Sequence, residues 1–128
     1  MTHLYWLYYH TRLNSKLSIG FYSTRQGLRD ARTSLGDAPG FRGGHGEFKV
    51  VRVVLPKRTE EVGDVAFVVY SMPDADDLND EYTPIAAFGT ENSADAFART
   101  LQSDSSAHIE VWPQDVNRTN WLEGFVET

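Results

Sequence analysis

An α+β fold, with a mainly antiparallel sheet and both helices packed on one of its faces, is what the sequence predicts. Three observations predict it. Apolar residues recur at helical spacing in only two stretches, near residues 28–35 and 94–101, while the other apolar runs are short and rich in aromatic or β-branched residues. The order strand, strand, helix, strand is read twice, over residues 3–56 and again over 64–113. The junction between the halves, residues 56–64, is polar and short, so six strands and two helices are expected to pool into one core within a single domain, 1–128.

The elements follow in order. Residues 4–10 are aromatic and apolar with little helical period, which favours a first strand. A polar turn at 12–16 leads to a second strand over 17–22. Ser23 then opens S-T-R-Q, where Ser23 can cap a helix and Gln26 can reach back to complete a capping box. Leu28, Ala31 and Leu35 fall on one face of that helix, Gly36 is placed as its C′ residue, and Pro39-Gly40 stops any continuation. The glycines of 43–46 read as a connector, and the Val-rich 48–55 as the third strand.

In the second half, residues 65–71 are apolar and β-branched and make a fourth strand. The acidic run 73–81 reads as a long hairpin loop, followed by a strand over 82–88 in which Pro84 marks an edge or an irregularity. Several caps between Thr90 and Ser93 precede Ala94, Phe97, Ala98 and Leu101 at i, i+3, i+4 and i+7. A last short strand alternates Ile109 and Val111 with His108, Glu110 and Trp112, and the segment 114–128 is expected to dock on the domain.

The same division separates charge. Residues 1–63 hold ten of the twelve Lys and Arg against five acidic residues, +5, while 64–128 hold two against thirteen, −11; together they give the net −6. Such a split sets a long-range field that governs partner choice and encounter rate more than fold. The chain has no cysteine, which excludes disulfides and thiolate metal sites and fits a reducing compartment. No apolar run approaches the roughly 20 residues that cross a bilayer, and MTHLYWLYYH alternates like a strand rather than a signal peptide, so a cytoplasmic protein without membrane contact is expected.

No motif supplies a chemistry. There is no G-x-S-x-G, and His3, His10, His45 and His108 form no H-x-x-x-H or H-E-x-x-H pair, so neither an enzyme nor a metal or other cofactor is expected. His10, ending the first strand, is the histidine closest to a functional reading, although a hydrogen-bonding structural role is the ordinary one. The glycine-rich, basic 40–46 precedes a strand, whereas a phosphate cradle opens a helix. The acidic 74–81 lacks the sixth-position Gly and twelfth-position Glu of a calcium loop. Its Asp74, Asp76, Asp77, Asp80 and Glu81 repel one another, which should hold the loop extended and ready to be neutralised by a basic partner. Arg25, Arg29 and Arg32, at i, i+4 and i+7, make a basic stripe on the first helix beside the aromatic Tyr5, Trp6, Tyr8 and Tyr9. Trp121, Leu122 and Phe125 form an apolar cluster read as a docking terminal segment, with Trp121 a secondary contact candidate.

Four stretches, LYYH, GFYST, PGFR and NWLEGFVET, carry a resemblance through Tyr9, His10, Gly20, Tyr22, Ser23, Pro39, Gly40, Phe41, Trp121, Glu123, Gly124 and Phe125. The chain resembles in these a small bacterial family, the domain of unknown function 7336. In that pattern the W-x-E-G-F tail closely follows the third strand, whereas here the acidic half intervenes as a second copy or an elaboration. The resemblance implies a fold and no activity; small domains of this kind resemble the immunity proteins that block bacterial toxins.

Three functional expectations follow. The favoured one is a small immunity-like binding protein that occludes a toxin, a nuclease being one candidate. Its acidic face would centre on Asp74, Asp76, Asp77, Asp80 and Glu81, with Asp95, Asp104 and Glu110 as neighbours and aromatic anchors to hold the complex. The alternative is a nucleic-acid-associated regulator using Arg25, Arg29 and Arg32, against which the −11 of the second half weighs. A third reading is a minor enzyme with a ligand pocket and titratable neighbours around His10, and a homodimer pairing the basic half with the acidic half is also allowed by the charges.

Overall fold

A computed structural model describes residues 2–11, 16–36, 46–57, 60–72, 82–104 and 107–120. The chain runs β1 (His3–His10), β2 (Lys16–Tyr22), α1 (Arg25–Gly36), β3 (Glu47–Val54), β4 (Val65–Met72), β5 (Thr83–Phe88), α2 (Glu91–Asp104) and β6 (His108–Asp115). It is an α+β fold with one six-stranded sheet in the order β2-β1-β3-β5-β4-β6. In each half the first strand lies between the other two, and every pairing within a half is antiparallel. The halves meet through a parallel contact of β3 with β5 at Val54 and Ala86. A second parallel bridge, Phe21 with Val116, joins β2 to the chain just beyond β6 and curls the sheet.

The curl divides the apolar residues differently from the single pooled core expected of the sequence. The concave face encloses Leu4, Trp6, Tyr8, Phe21, Val68 and Tyr70 with no helix among them. Both helices lie on the opposite face, each over its own half: Ala31 and Leu35 of α1 meet Leu7, Tyr9 and Ile19, and Ala94 of α2 meets Val69, Ala86 and Phe88. Alternation along the strands supplies both faces at once, which is why β1 reads as nearly continuous apolar sequence. Each large side chain so buried is worth about 1.5–3 kcal/mol.

The register of β1 on β2 slips between Leu7 and Tyr8, leaving Ile19 without an opposite residue. This bulge turns Ile19 and Tyr22 toward α1 and Phe21 inward. A matching slip at Val69/Tyr70 accommodates Pro84, which sits opposite Tyr70 and offers no N–H to the ladder. Strand β6 is longer than expected and continues through Pro113 to Asp115.

The helix starts also differ in detail. Thr24, not Ser23, caps α1: its Oγ1 accepts from Gly27 N at 3.1 Å. Ser23 is engaged instead by Asn117, whose Oδ1 accepts from Ser23 N at 3.0 Å, and Gln26 donates to Asp30 rather than back to the cap. Gly36 is the last helical residue and has no left-handed φ, so the C′ role expected of it does not apply. Thr90 caps α2, accepting from Ser93 N at 3.3 Å. Beyond β6 the chain runs beside β2, with Asn117 N donating to Phe21 O and Asn120 N to Ile19 O. Gly20 permits this approach, since a Cβ there would run into the Arg118 carbonyl.

Candidate functional site

Two surfaces concentrate chemistry, and they lie on opposite faces of the sheet. The first is at the end of the concave face, where β4 stops at Met72 and the chain returns at Tyr82. Register pairs place His108, Glu110 and Trp112 of β6 opposite Met72, Tyr70 and Val68, so all three share the concave face. The Trp112 ring meets Tyr82 edge-on at 4.9 Å and Tyr70 at 4.7 Å, yet Trp112 is still 37% exposed. His108 Nε2 lies 3.3 Å from Glu110 Oε1, and the His108 ring is 6.1 Å from that of Tyr82.

The electrostatics follow from these neighbours. Tyr82 has its pKa raised by local desolvation, then by the Glu110 charge and a hydrogen bond to that carboxylate. Behind it, burial alone raises Tyr70, so the neutral phenol closes the floor. The result is an aromatic platform with a carboxylate at its rim. Residues 73–81, which carry Asp74, Asp76, Asp77, Asp80 and Glu81, connect Met72 to Tyr82 and lie outside the described residues, as does Trp121. Of the expected acidic neighbours, Glu110 is on the platform. Asp95 lines a separate groove between α2 and β6, with Arg99 and Gln102, and Asp104 ends α2.

The second surface is a groove of about 350 Å³ between α1 and β3. The structure brings Arg25, Arg29 and Arg32 together there, as their spacing implies, and adds Arg52 from β3. Arg52 reaches them because β3 pairs with β1, setting it opposite Tyr5, whose hydroxyl accepts from Arg25 Nε at 3.2 Å. The floor is apolar: Leu28 is half-buried and Val50 is 42% exposed. Among the described residues no carboxylate lies within ion-pair distance of any of the four guanidinium groups. Asp30, the acidic residue of α1, is held by Gln26 at 2.8 Å and lines a different cleft with Tyr22 and Asn117.

His10 ends β1, with Lys16 and Glu47 as its register partners, and lines neither surface. Of the aromatic residues beside the basic helix, Trp6, Tyr8 and Tyr9 are buried and only Tyr5 reaches the groove. Among the described residues no group of three or more His, Cys, Asp or Glu is placed to hold a metal ion. No helix among them is long and apolar enough to cross a membrane. Comparison with protein-family models, with curated proteins and with solved structures returns no match.

Proposed function

We propose that this chain is a small binding protein that docks on a basic protein surface through the Tyr82–Trp112 platform and the acidic residues joined to it. The observation that carries the reading is Trp112, a large aromatic left 37% exposed beside Tyr82, where the chain departs into its most acidic segment. Exposed aromatics on a rigid strand are the side chains that anchor interfaces, and surrounding carboxylates speed the encounter with a cationic partner. In the immunity-like form of this proposal, suggested by the resemblance to the domain family, the protein acts stoichiometrically. It covers the basic active-site cleft of a toxin, such as a nuclease, and performs no chemistry of its own.

The test uses the purified product of the adjacent reading frame as partner. A 1:1 complex is expected whose affinity falls steeply with added salt. Replacing Asp74, Asp76, Asp77 and Asp80 with Asn should flatten that salt dependence. Absence of a complex, or the same salt slope in the Asn variant, overturns the proposal.

A further inference from the structure

We infer that the groove between α1 and β3 binds a ring-bearing phosphate ester of mononucleotide class, independently of the acidic platform on the other face. Four arginines line it, and among the described residues none has a carboxylate partner. Like charges gathered at one place repel, and an anion between them removes that cost. Guanidinium is suited to phosphate because its planar fork offers paired donors, and Arg25 is already oriented by the Tyr5 hydroxyl.

The dimensions select a compact ligand. Arg25 to Arg32 spans seven residues of helix, about 10 Å at 1.5 Å per residue. That length accommodates one or two phosphate groups rather than a long strand, and the net charge of −6 opposes an extended polyanion. A volume of about 350 Å³ lies at the lower end of small-molecule sites. The apolar part of the ligand has a surface as well. Arg52 also lines a neighbouring groove of about 380 Å³ with His3, Val54 and Pro56, so the two adjoin along the outer face of β3. Val54 is 49% exposed there, and His3 Nε2 is buried without a hydrogen-bond partner. A phosphate held by the arginines therefore places an attached ring over the exposed Val54.

The experiment is isothermal titration at low salt with three probes, ADP, inorganic pyrophosphate and a single-stranded oligothymidylate. ADP is expected to bind 1:1 and more tightly than pyrophosphate. Arg52→Gln and Arg29→Gln, both at exposed positions, are each expected to weaken ADP about tenfold or more with unchanged melting temperature. Failure of ADP to bind, wild-type ADP affinity in both variants, or binding of the oligonucleotide without competition by ADP overturns the inference.

Discussion

The ring of Tyr82 stands edge-on to that of Trp112, centroids 4.9 Å apart, while a hydrogen bond ties the Tyr82 hydroxyl to Glu110. Residues thirty positions apart in sequence thus form one platform, because β6 lies beside β4 and its Trp112 shares the concave face with Val68 and Tyr70. Desolvation and the Glu110 carboxylate both disfavour tyrosinate here. Ionisation of Tyr82 should therefore begin above the ordinary tyrosine range, near pH 10, in the folded protein. In Glu110→Gln it should shift downward, read as the difference in tyrosinate absorbance between that variant and its Tyr82→Phe counterpart. An unchanged titration would show that Glu110 does not act on Tyr82.

Glu60 ties the junction between the halves to the start of α2. Its carboxylate accepts from Gly89 N, Thr90 N, Thr90 Oγ1 and Ser93 Oγ at 2.5–3.3 Å. Desolvation pushes its pKa up, but these hydrogen bonds to the charged form outweigh it and hold the carboxyl below its ordinary value. A depressed folded pKa means that the stabilisation is present above the unfolded value of about 4.5 and is lost as pH falls through the folded one. Glu60→Gln should lower stability by about 1 kcal/mol at neutral pH, in line with loss of a helix cap. The deficit should shrink toward zero in urea melts run below both pKa values.

Gly89 is required by the same junction. A Cβ there would strike the Glu61 carbonyl, which is backbone and cannot rotate away. Gly89→Ala is expected to cost about 1–3 kcal/mol, the range for forced overpacking. Gly36 has nothing within 4 Å of the equivalent position, so Gly36→Ala should be neutral or stabilising by up to about 1 kcal/mol. Chemical melts of the two variants, compared side by side, separate close approach from loss of glycine as such.

The eight elements were legible because the strands are short runs rich in aromatic or β-branched residues while Leu28, Ala31 and Leu35 fall on one helical face. Local spacing likewise placed Arg25, Arg29 and Arg32 on one surface. What it could not place were residues joined only by strand pairing or chain crossing. Arg52 reaches the groove through its register with Tyr5, and Tyr82 meets Trp112 only once β4 separates β5 from β6. Asn117 holds a left-handed φ of 63° to bond Ser23, ninety-four residues away, and this displaced the cap to Thr24. The single expected core became three clusters because curling buries a sheet face that an open sheet would leave to solvent.

The claim that the Tyr82–Trp112 platform anchors a basic partner is tested most directly by Trp112→Ala in titration against the adjacent reading frame's product. Loss of an interface anchor costs about 2 kcal/mol or more, so affinity should fall about thirtyfold or further. Because Trp112 is already 37% exposed, the variant should remain folded, with an unchanged far-ultraviolet dichroism spectrum. A folded Trp112→Ala protein that binds this partner as tightly as the wild type would contradict the account.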